Sequence, residues 1–562
     1  GARRDSASRW PLDVFSLRER LIEDYADYVR SFIEIRDRRI RKRVRDEFSR
    51  GRYWPDPLIQ LNPGFEPGGT IDELVEAGLL HPECRRIFQR DKDMTGGAGK
   101  PLRLHRHQAD AIRAAATRKS YVLSTGTGSG KSLAYIIPIV DAVLRAGPGQ
   151  GVQAIVVYPM NALANSQEGE LEKFLSRGYP AGKAPIRFAR YTGQESDEQR
   201  QSIITQPPDI LLTNYVMLEL LLTRPRERLL VNAARGLRFL VLDELHVYRG
   251  RQGADVAMLV RRAREAFAAR ELQCVGTSAT LATEGDQDEQ RAEIARVAGA
   301  LFGTSVEPEN VIVETLRRAT PEMDFSNPVS LGRLRNRIAG RADPPLLYED
   351  FVADPLSSWI ESTFGVEWDA SSSRLQRVRP RSIRGADGAA TELARATGLS
   401  PEDCEEVVAR QLIASYGSDH RHPETGFPVF AFRLHQFISR GDTAYATIEA
   451  ESERRITLHG QTYAPGDRER ILLPLVFCRE CGQEYYCVRH DLDPDEGMAY
   501  YRPRDLSDRL RDDDSEAGFL HLDSTNPWPS GTDTEIERVP EDWLEEGPRG
   551  RRIRRDRRDW LP

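Results

Sequence analysis

The stretch that decides the fold reads T-G-T-G-S-G-K-S and spans Thr125–Ser132. It follows an apolar run, Tyr121–Ser124, and opens a helical stretch, Ser132–Ala146, which is the context of a phosphate-binding loop. Closely spaced glycines let backbone N–H groups wrap around phosphate oxygens, and the helix points its positive end at the same anion. We therefore expect Lys131 to neutralise the outer phosphates of ATP and Ser132 to bind Mg²⁺. The predicted cofactor-binding residues of the loop are Thr127, Gly128, Ser129, Gly130, Lys131 and Ser132.

Short apolar strands alternate with helices on both sides of this loop. Helices such as Ala254–Ala269 separate the strands, so the pattern predicts βαβ units and a parallel sheet covered on both faces. In such an α/β sheet, ligands bind at the carboxyl ends of the strands. The predicted strands are Tyr121–Ser124, Gln153–Tyr158, Ile186–Tyr191, Asp209–Thr213, Arg238–Leu242 and Leu272–Thr277.

Two carboxylates, Asp243 and Glu244, end the apolar stretch Phe239–Leu242. An acid pair at the tip of a buried strand, downstream of a phosphate-binding loop, is typical of ATPases. Asp243 is placed to hold Mg²⁺, and Glu244 can orient and polarise the attacking water. The hydroxyl-rich stretch Thr277–Thr280 follows the next strand, and we expect Ser278 and Thr280 to couple the acid pair to neighbouring domains.

Together these residues resemble superfamily 2 DEAD/DEAH-box helicases. S-T-G-T-G-S-G-K-S resembles motif I, D-E-L-H resembles motif II and S-A-T resembles motif III. The resemblance adds His246 to Lys131, Asp243 and Glu244 as a catalytic candidate. It also implies that Gln108 recognises adenine through its amide, the alternative being a solvent-facing glutamine. The implied fold is a P-loop RecA-like parallel-sheet domain.

Further loops resemble the family's nucleic-acid contacts. Tyr158–Gln167 resembles motif Ia, and Tyr191–Gly193 and Leu212–Asn214 resemble later loops at strand ends. Such loops suit phosphates, because backbone amides and hydroxyls carry little sequence information. The stretch Asp243–Arg262 is similar to Lhr-like and MrfA-like DNA helicases, and the later F-R-L-H-Q-F-I-S-R-G and F-C-R-E-C-G-Q-E-Y-Y stretches resemble Druantia-like phage-defence helicases. The implied nucleic-acid contacts are Asn161, Gln167, Thr192, Gly193, Thr213 and Asn214.

The 562 residues predict several structural units. The predicted division is a helical N-terminal domain (1–95), the RecA-like domain (96–300), a helical insertion (301–425), a β-rich module with a C-x-x-C pair (426–500) and a charged, loosely ordered tail (501–562). The basic run Arg36–Arg45 is expected to continue the first helix, as a solvated face or a phosphate contact. We find no second-lobe motif after Ala282, so we expect the second RecA lobe, and its arginine fingers, to lie beyond Pro562.

Composition limits the remaining possibilities. The chain has a formal charge of −7, so any nucleic acid must bind to local basic patches. It has no apolar run near the ~20 residues that span a bilayer, and its six sparse cysteines fit a reducing cytoplasm rather than a disulfide framework. Cys478 and Cys481 form a C-x-x-C-G knuckle of the kind that grips Zn²⁺, with Cys487 and His490 nearby. Zinc binding, a metal-free structural turn and redox chemistry all remain open.

The leading interpretation is an ATP-dependent DNA helicase or translocase in bacterial phage defence or DNA repair. Its expected cofactors are ATP and Mg²⁺, and its expected partners are DNA and other defence proteins, without a membrane. An RNA helicase is the nearest alternative, although Y-P-M-N-A-L-A-N-S-Q at motif Ia favours DNA. The other alternative is a scaffold that nucleotide binding orders without unwinding.

Overall fold

The fold is given by a computed structural model. It describes residues 13–31, 34–50, 53–92, 99–126, 128–180, 182–279, 287–370, 374–417, 421–422, 428–439, 443–492, 499–505, 511–512, 515–523, 529, 532–548 and 550–560. The chain forms two compact units. One contains Leu58–Leu434, and the other combines Leu12–Pro57 with His435–Pro562.

A seven-stranded parallel sheet is the centre of the first unit. Its strands are β1 (Tyr121–Ser124), β2 (Ala154–Tyr158), β3 (Phe188–Tyr191), β4 (Ile210–Asn214), β5 (Phe239–Leu242), β6 (Gln273–Ser278) and β7 (Val311–Val313). They are ordered β7-β1-β6-β5-β2-β4-β3, and every pairing is parallel. Because all strands run in one direction, their carboxyl ends meet at one edge of the sheet.

Helices cover both faces of this sheet. They are α1 (Arg106–Ala116), α2 (Leu133–Ala146), α3 (Asn161–Leu175), α4 (Asp197–Thr205), α5 (Tyr215–Thr223), α6 (Arg228–Ala233), α7 (Gly250–Ala266) and α8 (Gln287–Phe302). Alternate strand residues point to opposite faces. Leu123 and Val156 therefore pack with α1, α2 and α3, while Val122 and Ile155 pack with α5, α7 and α8.

The predicted α/β fold is confirmed. All six predicted strands are present, and their bounds differ from the predicted ones by at most two residues. The seventh strand, β7, was not predicted, because a run of only three apolar residues carries no periodicity that separates it from a loop.

The first unit also contains helices and short strands outside the parallel sheet. The helices are Ile71–Glu76, Cys84–Ile87, Pro328–Ala339, Tyr348–Ala353, Pro355–Phe364, Ala389–Thr397 and Pro401–Ser415. The strands are Leu58–Asn62, Gly64–Phe65, Pro67–Thr70, Gln89–Arg90, Lys100–Pro101, Arg103–His105, Leu316–Arg317, Val366–Asp369, Arg374–Arg377 and Arg381–Ser382, with Ala431–His435 at the end of the unit.

An antiparallel sheet is the centre of the second unit. Its strands run in the order Ile456–Thr457, Tyr445–Ala446, Leu473–Phe477, Glu484–Leu492, Ser515–Leu520 and Arg511–Asp512, with Ala499–Pro503 also paired to Glu484–Leu492. Two hairpins, Tyr463–Ala464 with Asp467–Ile471 and Leu544–Gly547 with Gly550–Ile553, and the short helix Thr532–Ile536 complete it. The prediction of a loosely ordered tail is therefore wrong for its described strands, because ladder hydrogen bonds organise them.

The N-terminal helices of the second unit are Val14–Ser31 and Arg38–Ser49. The expectation of one helix continuing through the basic run is wrong. The Asp37 carboxylate accepts hydrogen bonds from the backbone N–H groups of Arg39 and Ile40, so it caps a new helix at that point. This second helix buries Ile40, which shares one core with Trp54, Leu475 and Tyr486.

This grouping differs from the predicted division. Residues 12–57 share their core with strands more than 380 positions later, whereas Leu58–Asn62 pairs with strands of the first unit. Local periodicity carries no information on such distant pairings. Among the helices in the described ranges, none combines the length and the apolarity of a bilayer span.

Candidate active site

The phosphate-binding loop follows β1 and precedes α2, so it lies at the carboxyl edge of the parallel sheet. Gly128 and Gly130 have φ values of 84° and 71°, in the left-handed region that favours glycine. The Thr125 and Ser129 hydroxyls lie 2.7 Å apart inside the loop. The loop is therefore shaped by its own buried hydroxyls as well as by its glycines.

Helix α1 contacts the loop through two side chains, Gln108 and His107. The Gln108 amide donates to the Gly130 carbonyl at 2.9 Å, and its oxygen accepts from the His105 backbone N–H at 2.9 Å. His107 Nε2 lies 2.8 Å from the Ser129 carbonyl. Gln108 is buried rather than solvent-facing, and both ends of its amide are bonded to backbone, so adenine recognition by this residue stays a prediction.

The acid pair lies at the end of β5, two strands from β1. The Thr277 hydroxyl donates to Asp243 Oδ1 at 2.5 Å and accepts from the Glu244 backbone N–H at 3.1 Å. Glu244 has φ 55°, an uncommon conformation for a residue with a side chain. Thr277, the last residue but one of β6, thereby holds the Asp243 carboxylate and the Glu244 backbone at the sheet edge.

Lys131 and the acid pair share one pocket. Lys131 Nζ lies 3.3 Å from Glu244 Oε1, and Glu244 Oε2 lies 3.2 Å from His246 Nδ1. Ser278 Oγ is 3.3 Å from the same His246 nitrogen, and the Ser278 carbonyl accepts from the Thr125 N–H at 3.1 Å. The structure thus brings motifs I, II and III together, as the sequence predicts, while the catalytic roles of these residues stay predictions.

The electrostatics of the pocket suit a divalent cation. Burial, together with the neighbouring Glu244 carboxylate, raises the pKa of Asp243 to about 6, although the Thr277 hydrogen bond and Lys131 act in the opposite direction. A buried carboxylate with too little positive charge around it gains from a metal ion. Asp243 therefore fits the predicted Mg²⁺ ligand, with Ser132 at the start of α2 as the second candidate.

The predicted nucleic-acid contacts lie at the ends of β2, β3 and β4. The Asn214 amide donates to Asn161 Oδ1 at 2.6 Å and to the Thr192 carbonyl at 3.2 Å. The Thr213 hydroxyl is buried and donates to the Tyr191 carbonyl at 2.7 Å. Gly193 follows Thr192 in the same loop, and Gln167 lies half-buried on α3. These residues hold one another at the sheet edge, and their contact with nucleic acid stays a prediction.

Some functional candidates escaped the sequence reasoning. Glu195 accepts hydrogen bonds from the Thr192 and Gly193 backbone N–H groups, both at 2.8 Å, and so shapes their loop. Glu314, directly after β7, accepts from the Gly126 backbone N–H at 2.9 Å. The sequence signal that could have indicated Glu314 is its position directly after the apolar triplet Val311–Val313. Thr127 and Thr280, both predicted site residues, lie outside the described residues.

The cysteines give no complete metal site. None of the six forms a disulfide, and Cys478 lies half-buried and Cys481 exposed in the turn between Leu473–Phe477 and Glu484–Leu492. Backbone and side-chain hydrogen bonds at Cys481 lower the pKa of the Cys478 thiol. In the described part of the chain, no three histidine, cysteine or acidic side chains are grouped to hold a metal ion.

A phosphate-binding loop, an acid pair and a hydroxyl-rich third motif at one edge of a parallel sheet define a nucleotide-binding domain of the RecA-like class. Comparison with known proteins makes the class specific, because residues 105–287 match the DEAD/DEAH box helicase family. This part of the chain is therefore similar to the DEAD/DEAH box helicase domain.

Several named proteins are similar to this chain. The Druantia protein DruE of Escherichia coli is 26% identical over 47% of this chain and 20% of its own length. The ATP-dependent helicase hrq1 of Schizosaccharomyces pombe is 36% identical over 32% of this chain and 16% of its own length. A crystal structure of the DUF1998 helicase MrfA bound to DNA aligns with 48% of this chain and 37% of that chain, at 22% identity and a TM-score of 0.34. The chain thus spans only a minor part of these relatives.

Proposed function

We propose that this chain provides the ATP-binding half of a DNA helicase or translocase that acts in phage defence or DNA repair. The contact of Lys131 with the acid pair, inside a DEAD/DEAH box helicase domain, carries the proposal. It gives one pocket both a cation for phosphates and carboxylates for a metal and a water. Such a set suits hydrolysis of a nucleoside triphosphate.

Each residue of the pocket has a separate task in this proposal. Lys131 and the loop amides bind and orient the phosphates, and Ser132 and Asp243 hold Mg²⁺, which neutralises charge that develops on the phosphoryl group. Glu244 orients the attacking water. His246 and Ser278 link the acid pair to whichever element binds nucleic acid, since they lie 3.3 Å apart beside Glu244.

DNA is the proposed polymer. The ends of β2, β3 and β4 present amides and hydroxyls that suit a phosphate backbone. Support for DNA and for defence comes from the similarity to the Druantia protein DruE and from the Lhr-like and MrfA-like motif around Asp243. The proposed location is the cytoplasm, supported by six cysteines that form no disulfide, and other defence proteins are proposed partners.

Nucleotide binding by the 562-residue chain tests the proposal most directly. We expect fluorescent N-methylanthraniloyl-ATP to bind in the presence of Mg²⁺ and Lys131→Ala to abolish binding. Lys173→Ala is the matched control, since it removes a half-exposed lysine from the same domain. If wild type and Lys131→Ala bind equally, the nucleotide site is elsewhere and the proposal fails.

The polymer is tested separately. The chain should bind single-stranded DNA more tightly than RNA of the same sequence, and salt should weaken the complex. Tighter RNA binding would favour the RNA helicase. If the full-length protein displaces no strand, while Lys131→Ala and Glu244→Gln still change assembly with a partner, the nucleotide-gated scaffold is the better function.

Zinc binding by Cys478 and Cys481 is a further proposal. Two thiolates are half of a tetrahedral zinc site, so the remaining ligands have to come from outside the groups described above. Native mass spectrometry of the purified chain should find one zinc ion, which Cys478→Ser should remove. Absence of zinc from wild type purified with added Zn²⁺ would refute it.

A further inference from the structure

A carboxylate from outside the helicase motifs contacts the phosphate-binding loop. Strand β7 lies beside β1 with Val313 opposite Ser124, so the next residue, Glu314, reaches the same sheet edge as the loop. Glu314 Oε2 accepts the Gly126 backbone N–H at 2.9 Å. A carboxylate oxygen thereby accepts a hydrogen bond from a loop amide of the kind that binds phosphate oxygens.

An arginine holds that carboxylate in place. Arg377, at the end of Arg374–Arg377, contacts Glu314 through Nε at 2.6 Å and through Nη2 at 3.0 Å, and both side chains are only 16% exposed. The guanidinium also lies 5.7 Å from the centre of the Phe65 ring. The Arg377 guanidinium packs directly against the loop, because a Cβ on Gly126 would come within 2.5–2.8 Å of the guanidinium atoms.

A second arginine reaches the next glycine of the loop. A Cβ on Gly128 would come within 3.1 Å of Arg433 Nη2, so this guanidinium also lies against the loop. Arg433 belongs to Ala431–His435, and Arg377 to a different strand of the same unit. Two arginines from separate strands thus approach the phosphate-binding loop at alternate glycines.

The surroundings of Glu314 contain further buried arginine nitrogens, with Asp369 as a second carboxylate near Arg374. Arg374 interacts electrostatically with both Glu314 and Arg291, and burial, followed by the Arg291 charge, lowers the pKa of Arg374. Within the described residues, the Nε atoms of Arg374 and Arg291 are buried without a hydrogen-bond partner. Buried cationic donors without partners are costly, so the cluster is suited to a further anion.

A purely structural ion pair explains only part of this arrangement. It accounts for Arg377 beside Glu314. It does not account for the Gly126 hydrogen bond to the carboxylate, for Arg433 beside Gly128, or for the two buried Nε atoms of Arg374 and Arg291. A polyanion on the loop accounts for all three, because its oxygens accept from loop amides and attract the neighbouring guanidinium groups.

We propose that Arg377 and Arg433 contact the terminal phosphate of a nucleotide bound on the loop, and that Glu314 competes with that phosphate for Arg377 and for the Gly126 amide. The inference rests on the proposed nucleotide site. It assigns to residues 311–434 a direct part in distinguishing ATP from ADP. Binding of ATP moves Arg377 from Glu314 to phosphate, whereas ADP, one phosphate shorter, leaves the Glu314–Arg377 pair in place.

The test compares ATP and ADP affinities of the 562-residue chain, with N-methylanthraniloyl nucleotides and Mg²⁺. Arg377→Ala should weaken ATP binding about tenfold or more and ADP binding less than twofold, because a charged hydrogen bond is lost only with the longer nucleotide. Arg377→Lys should recover part of the ATP affinity. Glu314→Gln should tighten ATP binding several-fold, since the neutral amide competes less well for both partners.

Arg381→Ala is the matched control, since Arg381 lies four residues further along and pairs with Glu392 away from the loop. An unchanged ratio of ATP to ADP affinity in both Arg377→Lys and Glu314→Gln overturns the inference, even if Arg377→Ala fails to fold. Loss of DNA binding with unchanged nucleotide affinities also overturns it, since the phosphates would then be those of nucleic acid. If Lys131→Ala loses both nucleotides while the Arg377 and Glu314 variants match wild type, only this inference fails. If wild type binds neither nucleotide, the proposed function fails with it.

Discussion

Replacement of Glu244 by glutamine should tighten nucleotide binding. In the structure, Lys131 Nζ lies 3.3 Å from Glu244 Oε1, so the carboxylate competes with phosphate for this ammonium group. Coulomb's law for unit charges at that distance gives about 1.3 kcal/mol in water and about 5 kcal/mol at an effective dielectric constant of 20. The two side chains are 11% and 23% exposed, so the gain lies between these limits, and we take the value for water as its lower bound. It corresponds to about a tenfold lower Kd for ATP.

The assay is titration of the 562-residue chain with N-methylanthraniloyl-ATP and Mg²⁺, for wild type, Glu244→Gln and Glu170→Gln. The last variant removes one negative charge from a half-exposed ion pair with Lys173 on α3, so it corrects for net charge. We expect tightening only in Glu244→Gln, and we expect almost no hydrolysis by any of the three, because the arginine fingers are expected beyond Pro562. Equal or weaker ATP binding by a folded Glu244→Gln variant would refute the claim that this carboxylate restrains Lys131.

Three further predictions concern single residues of the same unit. Thr277→Val should weaken Mg²⁺-dependent ATP binding by about 1–2 kcal/mol, measured by the same titration, because Asp243 loses a charged hydrogen bond; unchanged affinity would contradict this. Burial lowers the pKa of His105 to about 4, so only the unfolded state takes up a proton as pH falls from 6.5 to 4. Wild type should therefore lose about 2–3 kcal/mol of stability over that range in urea unfolding, and His105→Asn should lose less; parallel pH profiles would contradict this. Asn214→Ala should lower the free energy of unfolding by about 1 kcal/mol in urea unfolding, because the Asn214 side chain accepts from the Met217 N–H at the start of α5. Asn214→Ser should keep this cap yet weaken DNA binding. Equal DNA affinity of Asn214→Ser and wild type would exclude the amide as a contact.

The parallel sheet and its pocket were predictable because their signals are local. Apolar strands of four to six residues separated by amphipathic helices have a periodicity that the sequence shows directly. The loop around Lys131 and the acid pair at Asp243 each follow such a strand. The sheet then brings them together without further information, because parallel strands end at one edge.

The arginines around the loop were not predictable in the same way. Arg377 and Arg433 follow Lys131 by 246 and 302 positions in the numbering, and no motif links them to the loop. Among so many arginines, only tertiary structure separates these two from residues that pair at the surface. The helix break before Arg38 was missed for another reason, since the capping Asp37 stands within a charged run where its side chain gives no distinct pattern.

The core shared by Trp54, Leu475 and Tyr486 has a consequence for biosynthesis. Residues 12–57 leave the ribosome early, yet the strands that cover their aromatic side chains are translated about 400 positions later. At about 5–20 residues per second, this interval lasts roughly 20–80 s. The early segment has to wait through the synthesis of the entire ATP-binding domain, and a chaperone that shields apolar surface during that time should raise the yield of folded protein.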